Sequence, residues 1–197
     1  MSHSWFALTS KPRHEKVVAE NLRSNGLESF LPLYRARRQS TNLVQSVELP
    51  LFPGYVFCRF AYASRPPVLN TPGVTSVVGR SDGPTPISEE EISRIQAIQA
   101  SGLPSQPWPY TQAGQKARIE RGSLAGLEGV LIREKDALRV VVSVELLRRA
   151  VAVEIDRAII RAVDGAEHAS MAHVYLTGHA QHLLGRRQGV IHVEVGK

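Results

Sequence analysis

Apolar and polar positions change period several times along this 197-residue chain, and each change marks an element. Residues 5–10, W-F-A-L-T-S, form a short apolar run that reads as a strand. Pro12 then suits the first turn of a helix, Val18 and Leu22 sit one helical turn apart, and Gly26 supplies a C-terminal stop. Residues 27–38 return as a strand ending in basic side chains. Residues 47–60 are strand-like around Pro53-Gly54, and residues 74–78 give another strand after a proline-rich connection. The best helix signal comes next: Ser88 caps, Glu91 answers three residues on, Ile87 and Ile92 staple the entry, and Ile95 and Ile98 continue the face to Gly102. Two helices among about four strands predict a small α+β sandwich.

The pattern breaks at residues 101–112, S-G-L-P-S-Q-P-W-P-Y-T-Q, which hold three prolines, a glycine and no charge. Beyond the break, residues 116–120, 129–133, 139–144, 150–155 and 159–163 are short β-rich runs separated by Gly122, Gly126 and the Lys135-Asp136 turn. Five such strands predict a small barrel, because closure removes the edges of so short a sheet. The expected organisation is a first domain over residues 1–103, a proline-rich linker over 104–112, a β-barrel over 113–164 and an extension over 165–197. Within the extension, V-I-H-V-E-V at 190–195 alternates like one added strand.

Composition narrows the class. Hydrophobic residues at 43% and charged residues at 21% exclude a collagenous, coiled-coil or wholly disordered chain. Twenty-four Lys and Arg against eighteen Asp and Glu leave +6, spread along the chain, which favours an acidic or nucleic-acid-rich partner. The single cysteine, Cys58, allows no internal disulfide and no cysteine-based zinc site. No run approaches the roughly 18 apolar residues of a membrane span, and residues 5–8 are too short for a signal-peptide core. A soluble cytoplasmic protein without membrane contact is expected.

Enzyme signatures are missing: no P-loop, dinucleotide fingerprint or HExxH occurs. Residues 79–83, G-R-S-D-G, fit the G-x-S-x-G pattern, but Pro84 and Pro86 follow where a nucleophile elbow needs a helix, so the segment reads as a loop. Five of seven histidines fall late (His168, His173, His179, His182, His192). Although His179 and His182 stand at helical spacing, no Cys or Asp lies beside them. No metal, no cofactor and no catalytic residues are expected.

Three segments in order carry a family resemblance: W-F-A-L at 5–8, L-F-P-G-Y-V-F at 51–57, and G-Q-K-A-R-I-E-R-G-S-L-A-G-L-E-G-V at 114–130, which looks like a KOW motif. Over residues 4–163 the chain resembles the NusG family of transcription elongation factors, with an NGN domain, a linker and a KOW barrel, and is closer in look to RfaH-like and UpxY-like antiterminators. The resemblance implies a non-enzymatic factor whose NGN domain docks on the clamp helices of the largest subunit of RNA polymerase and touches non-template DNA or nascent RNA. It also implies that the barrel recruits a partner such as termination factor Rho or a ribosomal protein.

Physical reading of the same residues supplies candidates. Strand alternation turns Tyr55, Phe57 and Arg59 one way and Val56, Cys58 and Phe60 the other, so both faces carry apolar mass. A small sheet covered by helices on one side then leaves its second apolar face for a partner. The candidate docking residues are Phe6, Leu8, Phe52, Tyr55 and Phe57, whose plain alternative is core packing. Lys11, Arg13, His14 and Lys16, with Arg35, Arg37 and Arg38, are candidate phosphate contacts, or else a solvated face. Leu147, Arg148 and Arg149 stand where housekeeping members show an aromatic followed by Gly-Arg, and are the candidate partner contacts of the barrel. The rival reading from another class is a free RNA-binding or ribosome-associated protein, with sheet aromatics stacking on bases.

Overall fold

The computed structural model describes residues 3–40, 43–111, 114–134 and 137–163. The chain opens with β1 (Ser4–Ser10), α1 (Glu15–Ser24) and β2 (Glu28–Phe30), followed by β3 (Leu33–Ser40), β4 (Leu43–Pro50) and β5 (Tyr55–Phe60). Then come α2 (Arg65–Leu69), β6 (Val74–Val77), the two-residue strands β7 (Gly79–Arg80) and β8 (Gly83–Pro84), and α3 (Glu89–Ser101). The second unit holds β9 (Ser105–Pro109), β10 (Gln115–Ile119), β11 (Glu128–Glu134), β12 (Ala137–Val144), β13 (Arg149–Ile155) and β14 (Ile160–Ala162).

The first sheet has the order β2-β5-β1-β6. Antiparallel register sets Phe6 opposite Cys58 and Leu8 opposite Val56, while Ala7 faces Phe57 and Trp5 faces Arg59. Directly opposed residues share a face, so Phe6, Leu8, Val56, Cys58 and Phe60 form one side of the sheet. That side is sealed by Val18, Ala19 and Leu22 of α1 and Val68 of α2. The Phe6 and Phe60 rings lie 4.6 Å apart at its centre.

Local chemistry explains where elements stop. The strand expected over 27–38 divides at Leu31-Pro32, because Pro32 cannot donate to a ladder; its carbonyl instead accepts from Leu51 N at 2.8 Å. Beyond it β3 and β4 form a two-stranded ribbon of their own, in register from Leu33↔Pro50 to Ser40↔Leu43. Leu51 and Phe52 tuck inside, and Gly54 turns the chain into β5 at φ 86°. The carboxylate of Glu15, buried at the first turn of α1, accepts a 2.8 Å hydrogen bond from Gly54 N, tying the helix start to this turn. Pro66 and Pro67 open α2 inside the proline-rich connection, since a first turn tolerates proline. Residues 79–83 make the β7–β8 hairpin, in agreement with the loop reading.

The capping box of α3 forms as read. Ser88 Oγ accepts from Glu91 N at 3.1 Å, Ser88 N donates to Glu91 Oε2 at 3.4 Å, and Gly102 ends the helix at φ 67°.

The second sheet has the order β14-β10-β11-β12-β13-β9. Five barrel strands were expected; the sixth, β9, comes from the segment read as linker. Among the described residues the ladder is linear, and β9 is not paired with β14. Gly129 allows β11 to approach β12, since a Cβ there would fall 2.5 Å from Val141 O. The extension, its five histidines and its 190–195 alternation lie outside the described residues.

Cys58 gives this fold a chemical probe. Burial, with a smaller contribution from Glu28, pushes its thiol up to about 12 from an ordinary 9.0. The folded thiol stays neutral where the unfolded one ionises, so its contribution to stability is complete below pH 9.0 and lost towards about 12. Native protein at pH 8 should therefore resist iodoacetamide and react fast in urea, and Cys58→Ala should lose less stability than the parent chain between pH 9.0 and about 12. Rapid native alkylation would contradict the buried placement.

Candidate functional site

The second face of the first sheet is an aromatic assembly built from four segments. Phe30 stacks with Phe57 at 6.0 Å, Phe52 meets Phe57 edge-on at 5.5 Å, and Trp5 meets Phe30 edge-on at 6.5 Å. Trp5 Nε1 donates to Glu89 Oε1 at 3.3 Å, which anchors the ring to the start of α3. Tyr55 is half-buried against the same cluster. Arg59 lies at the rim between Glu28 and Glu89, 3.7 and 3.6 Å away.

Of the five expected docking residues, the structure gathers Phe52, Tyr55 and Phe57 here. Phe6 and Leu8 are a correction: register turns them to the opposite face, under α1, at 4% and 0% exposure. The expectation that the aromatic face lies open is corrected as well, because Phe52 and Phe57 are 1% and 0% exposed. Its cover is remote in sequence. One continuous apolar cluster runs from Trp5, Ala7 and Phe57 through Ile92, Ile95 and Ile98 of α3 to Val140, Val142, Val144 and Leu147 of the second unit. Helix α3 touches both β1 and β12, and β3 lies beside β9. At the seam, Glu145 N donates to Glu91 Oε1 at 3.2 Å, so the carboxylate that closes the α3 capping box also reaches the second unit.

The basic candidates occupy two separate elements. Lys11, Arg13, His14 and Lys16 are all exposed on the β1–α1 turn and first helical turn, with Arg13 at φ 63°. Lys11 N donates to Gly73 O at 2.9 Å, bringing the turn against the start of β6. Beside it stands a hydroxyl cluster that the sequence reading missed: Thr9 Oγ1 is 2.5 Å from Thr75 Oγ1 and 2.6 Å from Ser76 Oγ. Pairing of β1 with β6, which no local pattern announced, brings these three together. Arg35 is exposed on β3 opposite Glu48, and Arg37 and Arg38 pair in register with Ser46 and Gln45 along the same ribbon.

The third candidate group divides. Leu147 is buried at 6% in the shared cluster. Arg148 turns the chain at φ 49° with its guanidinium 4.3 Å over the Tyr110 ring, and Arg149, exposed, opens β13 opposite Pro109. Arg148, Tyr110, Glu145, Leu146, Gly79 and Arg80 line a cleft of about 340 Å³ along the seam. Among the described residues no three His, Cys, Asp or Glu side chains converge for a metal, and no helix is long and apolar enough to cross a membrane.

The structure thus combines a buried aromatic face on an α+β sandwich, exposed basic turns and a second β unit joined by one helix. A family model described as transcription termination factor nusG matches residues 3–96. Proteins called transcription termination/antitermination protein NusG from Yersinia pestis and Escherichia coli strain K12 are each 33% identical over 166 residues, covering 77% of this chain and 92% of theirs. The Lactococcus lactis protein of that name is 28% identical, covering 77% of this chain and 89% of its own. Among solved structures, one titled for domain interaction in Thermotoga maritima NusG shares the fold with a TM-score of 0.53 at 20% identity, covering 83% of this chain and 99% of its own. The chain belongs to the NusG family.

The double role of Glu91 is testable. Glu91→Ala should cost roughly 1 kcal/mol through the lost cap and speed hydrogen exchange at the Glu145 amide. Ser88→Ala should cost a similar amount and leave Glu145 protected. Equal behaviour of the Glu145 amide in the two variants would contradict a contact across the seam.

Proposed function

We propose that this NusG-family protein is a cytoplasmic transcription elongation factor, a specialised antiterminator, that docks its aromatic face on the clamp helices of RNA polymerase's largest subunit and modulates pausing and termination. It acts by binding, not by catalysis, and needs no cofactor. The observation that carries the reading is the aromatic face itself: Trp5, Phe30, Phe52, Tyr55 and Phe57 cluster on the side of the sheet that α1 and α2 leave bare, and the apolar cluster that covers it runs through α3 into the second unit. Such a cover is exchangeable for a partner's helices. An amphipathic helix pair lying in an apolar groove draws most of its binding energy from a few aromatic anchors. The Yersinia and Escherichia relatives are named for transcription termination/antitermination, which supports a role in elongation.

Charge extends the contact. The exposed group of Lys11, Arg13, His14 and Lys16 and the ribbon with Arg35, Arg37 and Arg38 meet phosphates of non-template DNA or nascent RNA without reading sequence. Arg148 and Arg149, above buried Leu147, form the contact of the second unit for its own partner, Rho or a ribosomal protein.

The test is a pull-down with purified core polymerase, followed by run-off transcription on a template carrying a terminator. Tyr55→Ala, at a half-buried position that tolerates truncation, should weaken polymerase binding by about 10- to 30-fold, the range of an aromatic anchor, and abolish the effect on termination. Full binding by Tyr55→Ala would remove the proposed face. Micromolar RNA binding in the absence of polymerase, lost between 50 and 200 mM salt as phosphate contacts are, would favour the RNA-binding reading that the two cationic groups also support.

A further inference from the structure

The segment first read as a linker is built into the second sheet, and its details show a removable part. Strand β9 pairs with β13 from Ser105↔Val153 to Arg149↔Pro109, and Glu154 N donates to Pro104 O at 3.0 Å. Along a strand, hydrogen-bonding edges alternate, so Gln106 and Trp108 share the edge of Pro104, towards β13. Pro107 and Pro109 then turn their donor-less nitrogens to the outer edge, where proline is tolerated and where it blocks any further strand. Trp108, Val130 and Ile132 pack on Val141, Ala150 and Ala152, on the face of β13 opposite Val151 and Val153. The two alanines leave room for the indole, and with it in place Val141, Ala150 and Ala152 are each 1% exposed. The Arg139 guanidinium lies 5.7 Å from the Trp108 ring, Tyr110 lies under Arg148, and Ser143 Oγ donates to Thr111 O at 3.3 Å.

Chain length turns this into a constraint. Between the end of α3 at Ser101 and the start of β9 at Ser105 only three residues intervene, a span of about 10 Å. With β9 detached, thirteen residues separate α3 from β10 and reach roughly 40 Å. We infer that the edge of β13 together with the Val130–Ile132–Val141–Ala150–Ala152 groove is a binding site for an extended peptide carrying a large aromatic ring. The chain's own β9 fills it as a strap that holds the second unit against α3. A partner strand of that chemistry, taking the place of β9, lengthens the tether between α3 and the second unit from three residues to thirteen and frees the second unit from α3.

The test involves no polymerase, so this inference and the docking reading fail separately. Dyes at Ser24→Cys and Arg121→Cys, both exposed positions, report the distance between units by energy transfer, while inert Cys58 stays unlabelled. A synthetic peptide with the sequence of residues 103–111 serves as the competing strand. Added to the full chain it should lower transfer by roughly half, as a tether of about 40 Å replaces one of about 10 Å, and shift the Ala150 and Ala152 amides. The same peptide with alanine for tryptophan should do neither. Trp108→Ala should open the chain without peptide, and Ala152→Leu, which fills the groove and leaves the indole intact, should do the same with a red-shift of Trp108 emission. Unchanged transfer in Ala152→Leu with its second sheet folded overturns the strap, as does opening while the Ala150 and Ala152 amides keep their docked positions. Failure of millimolar peptide to compete overturns the binding site.

Discussion

A four-stranded sheet with aromatic side chains on both faces must have both faces covered, and the helices nearest in sequence cover only one. Helices α1 and α2 close over Phe6, Leu8, Val56, Cys58 and Phe60, and Phe52 and Phe57 remain to be hidden from water. Leaving a Phe side chain exposed costs about 1.5–3 kcal/mol relative to burial, a large fraction of the stability of any single domain. Helix α3 joins the face to the second unit in one continuous apolar cluster. In the proposed docking, a partner that replaces this cover recovers the same free energy.

How far this was legible in the sequence depended on the range of the interaction. The capping box of α3 was fully visible, since Ser88, Glu91 and Gly102 act within one or two turns. The existence of most strands was visible too. Which face a residue occupies was not: Phe6 and Leu8 were grouped with Phe57, and only the pairing of Ala7 with Phe57 shows that they lie on the other side. The division of residues 27–38 at Pro32 needed more weight on proline as a ladder breaker. Residues 105–109 were missed for the opposite reason, because alternating prolines look like a breaker yet suit the outer edge of a sheet. The cover over the aromatic face and the cluster of Thr9, Thr75 and Ser76 depend on contacts between distant segments, to which local periodicity is blind.

The three groups of candidate contacts also differ in what the fold asks of them. Phe52 and Phe57 hold the interior in the closed arrangement, so their use by a partner requires a change of domain contact. The basic turn with Lys11, Arg13, His14 and Lys16, and Arg35 on the β3–β4 ribbon, are exposed in that arrangement, open to long-range attraction to a polyanion. In the proposed docking, electrostatic encounter precedes apolar exchange, and the seam at Glu91 and Glu145 is the boundary that parts.

The most direct measurement is methyl NMR of the full chain with Ile92, Ile95 and Ile98 labelled, during titration with core polymerase. If polymerase takes the place of the second unit on the aromatic face, these three methyls shift and broaden with the bound particle, while labelled Val151 and Val153 in the second sheet keep sharp lines as that unit swings free. Saturable binding that leaves the three isoleucine methyls at their closed-state positions would contradict the account.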